Sequence, residues 1–147
     1  MIKLNQFGVT TKEKINELEN KYNLILPDDY KTFLLSNNGG IVEKDESNGV
    51  FVEDINEQII IDVFYGVDTG QEKANINYWM DSLLEDLLED TVIIGDDIIQ
   101  GLILIICSGE NAGVYYWDDA YNFDGSDEEV NTYWIADSFT DFIAMFK

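Results

Sequence analysis

Histidine and arginine are both missing from the chain, and cysteine and proline occur once each. Without histidine there can be no Ser-His-Asp triad, no Cys-His pair and no His-ligated zinc. Without arginine there is no bidentate clamp on phosphate. The glycines form neither a Gly-x-x-x-x-Gly-Lys loop nor a dinucleotide fingerprint. Most enzyme classes lose their usual groups, so no catalytic activity and no cofactor are expected. The single Cys107 cannot form an internal disulfide, and "MIKLNQFGVTTKEK" has no apolar signal region, which together favour the cytoplasm. Cys107 ends the longest apolar run, "GLILIIC" at 101–107, and reads as a small buried hydrophobe. That run has strand length, so no membrane span is expected.

Positive charge is scarce as well. Eight lysines face 30 acids, for a net charge of −22. Residues 1–44 carry six acids and six lysines, which cancel, whereas 45–146 carry 24 acids and only Lys73. A polyanionic surface repels nucleic acid and anionic lipid and attracts basic proteins over a screening length of about 8 Å. Direct binding of DNA, RNA or membrane is therefore not expected. An acidic surface can also serve solubility alone.

What is present reads as one domain over 1–147, since 46% hydrophobic residues and 13% aromatics suffice for a core. Thr10 and Glu13 have the spacing of a capping box before a helix at 11–22, with Ile15, Leu18 and Tyr22 on its apolar face. "LPDDYKTFLLSNNGG", 26–40, marks a second helix: Pro27 opens it, Asp28 and Asp29 complement its dipole, Tyr30, Phe33 and Leu34 share a face, and Asn38-Gly39-Gly40 offers a left-handed stop. "GIVEK", "GVFVE" and "QIIIDVFYGV" read as two or three strands. "EKANINYWMDSLLEDLLED" returns to helical spacing with Ile76, Met80, Leu83, Leu84, Leu87 and Leu88 inward and Asp81, Glu85, Asp86 and Glu89 outward. "TVIIG", "GLILIIC" and "GVYYWDD" follow as an antiparallel meander, then a short "TYWIA" segment, then a last helix capped by Asp137 or Ser138 with Phe139, Phe142, Ile143 and Phe146 apolar. About five or six strands, with helices before, among and after them, are expected.

Carboxylates are the one reactive group in surplus. The pairs Asp96-Asp97 and Asp118-Asp119 have the residue type of a glycosidase, which needs two carboxyls a few ångströms apart in a cleft. "DDAYNFDGSDEE", 118–129, is rich in oxygen ligands but lacks the alternation of a calcium loop, so no metal is expected. Its acids stand among aromatics, which suits the anchors of a protein interface. Asp118, Asp119, Tyr121, Phe123, Asp124, Asp127, Glu128 and Glu129 are the candidate contacts for a basic protein partner.

Taken in order, Leu26-Pro27 with Tyr30, Phe33, Leu34, Asn38, Gly39 and Gly40, then Gly101, then Tyr116-Trp117-Asp118, then Ser138-Phe139 with Phe142, resemble the SUKH superfamily over nearly the whole chain. That superfamily includes bacterial immunity proteins and the yeast Smi/Knr glucan-synthesis regulators. The resemblance implies an α+β domain with helices packed on a mostly antiparallel sheet of about five or six strands, with those residues as scaffold, none of them catalytic. It further implies a cytoplasmic immunity protein that neutralises a cognate toxin, often a nuclease, and the acidity here favours a basic one. A regulatory role in cell-wall assembly is the alternative, and a carboxylate-based hydrolase the third reading.

Overall fold

The computed structural model describes residues 2–43 and 49–146; Lys44, Asp45, Glu46 and Lys147, included in the charge count above, lie outside the described residues. The elements run β1 (Leu4–Gln6), α1 (Lys12–Tyr22), α2 (Asp28–Ser36), β2 (Gly40–Val42), β3 (Gly49–Val52), β4 (Glu57–Phe64), α3 (Ile76–Leu83), β5 (Thr91–Asp97), β6 (Leu102–Ile106), β7 (Gly113–Trp117), β8 (Thr132–Ala136) and α4 (Phe139–Ala144). The strands form one sheet in the order β1-β2-β4-β5-β6-β7-β8, with β3 beside β4. Every strand pair is antiparallel. The α+β class and the β5-β6-β7 meander agree with expectation. The sheet has eight strands instead of five or six, because β1 and the "TYWIA" segment, β8, both join it.

Helix ends differ from expectation in instructive ways. Thr11, not Thr10, caps α1, accepting from the Lys14 N–H at 3.2 Å, while Thr10 is buried. Pro27 precedes the first helical residue of α2, where its missing N–H again costs nothing. That helix ends at Ser36 with an extended Asn37, so Gly39 and Gly40 are not its stop. Gly39 holds φ +71, and a Cβ there would collide with the Phe64 carbonyl oxygen. The glycine thus lets the chain lie against the end of β4. Asn38, fully enclosed, accepts from the Val67 N–H at 2.7 Å and donates to the Val67 carbonyl at 2.9 Å. Ser138 is the cap of α4, accepting from Asp141 N–H.

The two aromatic segments at opposite ends of the chain meet in the core. Tyr30 and Phe33 of α2 each lie 5.0 Å from the Phe139 ring, and Phe64 packs on Phe33, Phe139, Phe142 and Phe146. Asp29 adds a polar tie, accepting from the backbone and hydroxyl of Thr140 at 2.9 Å. Leu26 is anchored by its N–H to the buried Glu19 carboxylate, which also meets Lys31. Gly101 leaves room for Tyr116, whose ring a Cβ would strike. The scaffold residues therefore act through packing and close approach.

α3 is shorter than its leucine spacing predicts. It tightens into a 3₁₀ turn at Leu84–Asp86 and stops. Ile76 and Met80 are buried as expected, but Leu84 and Leu88 are not inward: both are exposed, Leu88 at 69%. Leu88 borders the cavity described next.

Candidate protein-binding groove

Residues 118–131 leave β7 and return to β8 as a folded rim, not a loose acidic tract. Asp118 is fully buried, and its carboxylate accepts the N–H groups of Asn122 at 2.8 Å and Phe123 at 2.9 Å. Tyr121, just before these two donors in sequence, takes the left-handed conformation at φ 53. Phe123 is half-buried and sets its ring edge-on to Tyr116, with centroids 5.9 Å apart. Further on, Asp127 accepts from Glu129 and Val130 N–H, both at 2.8 Å, and these donors, Val130 first, hold its carboxyl below the usual range. The Ser126 and Tyr133 hydroxyls lie 2.6 Å apart and tie the rim to β8.

Between this rim and the segment after α3 lies a groove of about 540 Å³. Its floor is the face of the sheet: Thr91 pairs with Ile106, and Trp117 with Thr132, so each pair shares that face, joined by Leu104. Leu87 and Leu88 form one wall with Asp86, and Glu128, Glu129 and Val130 the other. Val130 is 54% exposed and Tyr121 47%. Every charged side chain lining the groove is an acid: Asp86, Asp119, Glu128 and Glu129. Burial, reinforced by Asp86 and Asp118, raises the Asp119 pKa.

Of the eight residues singled out from the sequence, Asp119, Tyr121, Glu128 and Glu129 line the groove. Asp118 does not present itself to a partner, being interior, and Phe123 faces the core; Asp127 shapes the rim, and Asp124 is exposed beside it. Sequence reading missed the opposite wall. Its signal was present in Leu84, Leu87 and Leu88, three leucines in a segment too acidic to bury them all.

A second cavity of about 510 Å³ adjoins the first through Asp119 and is lined by Trp79, Asp62, Asp96 and Leu102. Burial pushes both Asp96 and Asp97 up to about 6. These neighbours on β5 both border the cavity, and their carboxylates take different partners. Asp96 accepts from the Tyr65 hydroxyl at 2.6 Å, beside the ring of Trp79, whereas Asp97 accepts from Gly101 N–H at 2.7 Å and the Tyr116 hydroxyl at 3.1 Å. Burial also pushes the Cys107 thiol up to about 12, so it is a poor nucleophile. Among the described residues, no group of three or more acids or cysteines is placed to hold a metal ion, and no helix is long and apolar enough to cross a membrane.

The sequence pattern of the SMI1 / KNR4 family (SUKH-1) matches residues 10–145. No curated protein and no solved structure matches the chain.

Proposed function

The chain belongs to the SMI1 / KNR4 family (SUKH-1), and from that premise we propose that it is an intracellular immunity protein, which binds and neutralises a cognate basic toxin, a nuclease in the first instance. Members of this family act in general without catalysis, as immunity or regulatory proteins. One observation carries the choice between those roles: the groove combines an apolar floor with walls whose charged groups are all acids. A nuclease carries cations where it holds phosphate, and a carboxylate-walled groove competes for that surface. Attraction at long range speeds encounter, and burial of apolar groups against the exposed Leu88 and Val130 slows release. The protein needs no chemistry of its own for this, and the hydrogen bonds that hold Asp96 and Asp97 fit a part in folding better than one in hydrolysis.

The test is co-purification from the source cell, followed by titration of the captured protein's activity. A basic partner whose nucleic-acid cleavage disappears at equimolar protein supports this reading. A partner from cell-wall synthesis, neither basic nor inhibited, would instead establish the regulatory role.

A further inference from the structure

We propose that the groove receives an amphipathic helix of the partner, apolar along one stripe and basic on both flanks; this rests on the reading of the protein as the neutraliser of a basic toxin. The backbone of the floor decides against a strand. β6 and β7 are each paired along both edges, and β5 pairs with β6 from Thr91 to Asp96, so an extended segment laid on this face finds little free N–H or C=O to join. Affinity must come from side chains. The floor offers the half-buried Ile106 over the buried Leu104 and Trp117, and the exposed Leu88 and Val130 stand on opposite walls as lips. A strip of this kind accepts a row of side chains at i, i+3, i+4 and i+7 of a helix, which point the same way.

Charge sets the flanks. Asp86 stands on one wall and Glu128 and Glu129 on the other, with no lysine among the lining residues. A helix in the groove meets carboxylates on both sides, so Lys or Arg belongs on each side of its apolar stripe. An acidic or neutral helix would leave like charges or unpaired carboxylates against it, which disfavours it.

The experiment uses the folded protein and three synthetic peptides of equal charge: one with Leu at helical spacing and Lys on both flanks, one with the same residues scrambled, and polylysine. Binding is measured by calorimetry and helix formation by circular dichroism. The variant Leu88→Asn with Val130→Asn removes the apolar lips at exposed positions and leaves the fold in place. The amphipathic peptide should gain helix on binding, bind about tenfold tighter than the scrambled one, and lose about that factor on the variant, while polylysine is indifferent to it. Equal binding of all three peptides, or an indifferent variant, overturns the groove proposal and leaves the basic-partner reading standing. Failure of every cationic peptide to bind overturns both.

Discussion

Single residues in this protein do most of their work by closing distances. Gly39 combines a positive φ with a backbone contact to Phe64, so Gly39→Val should lower stability by about 1 kcal/mol or more, read as a shifted denaturation midpoint. An unchanged midpoint would mean the segment relaxes without strain. The role of the glycine pair was only half legible: its need for unusual backbone was visible in the sequence, but the reason, a strand passing beneath, is tertiary. Asp96 and Asp97 carry the pH dependence. Their carboxyls ionise near the ordinary value of about 3.9 in the unfolded chain but at about 6 in the fold. Their stabilising contribution is therefore full below the unfolded value and is lost as pH rises through 6. Between those limits, the stability of the natural chain should fall more steeply than that of an Asp96→Asn, Asp97→Asn variant, which shares its remaining surface repulsion. Parallel slopes would show that burial does not hold these protons.

At the scale of elements, the rim at 118–131 is the least expected feature. From sequence it is a string of acids. In the fold, two of those acids turn inward or along the chain to satisfy backbone donors, while Asp119, Glu128 and Glu129 line the groove. Composition cannot separate an acid that caps a turn from one that faces a partner, because both are the same residue in the same stretch. Asp118→Ala removes a buried acceptor and strands two N–H groups, a loss of about 1–3 kcal/mol. Amide exchange at Asn122 and Phe123 should accelerate, and release of the partner should quicken with it. Exchange at the natural rate would show that the rim does not depend on Asp118. α3 teaches the complementary lesson. Leucine spacing predicted a long helix, yet Leu84 and Leu88 lie at the surface, since helical periodicity marks an apolar face without saying what covers it. Its Asp81 is engaged by Lys21 at 3.0 Å and by the Tyr22 hydroxyl at 2.6 Å, tying α1 to α3. By contrast, β1 was invisible because three residues, Leu4–Gln6, show no alternation to read.

The whole molecule is electrically lopsided, with every lysine but Lys73 and Lys147 in residues 1–44 and most acids beyond them. That asymmetry was fully legible in the sequence, as was the family framework of capped helix, meander and aromatic last helix. What it serves depends on the groove, where acids of the rim and of the segment after α3, distant in sequence, stand across an apolar floor. The most direct test is the kinetics of binding to the proposed basic toxin at low and high salt, for the natural protein and for a variant carrying Asp119→Asn, Glu128→Gln and Glu129→Gln. Asp118 and Asp127 are left intact so that the rim keeps its shape. Association by the natural protein should slow markedly as salt rises while dissociation changes less, because screening acts on long-range attraction and not on apolar contact. The variant should associate more slowly, respond less to salt and dissociate faster. Rates indifferent both to salt and to the three substitutions would contradict the account, leaving the acidity a matter of solubility.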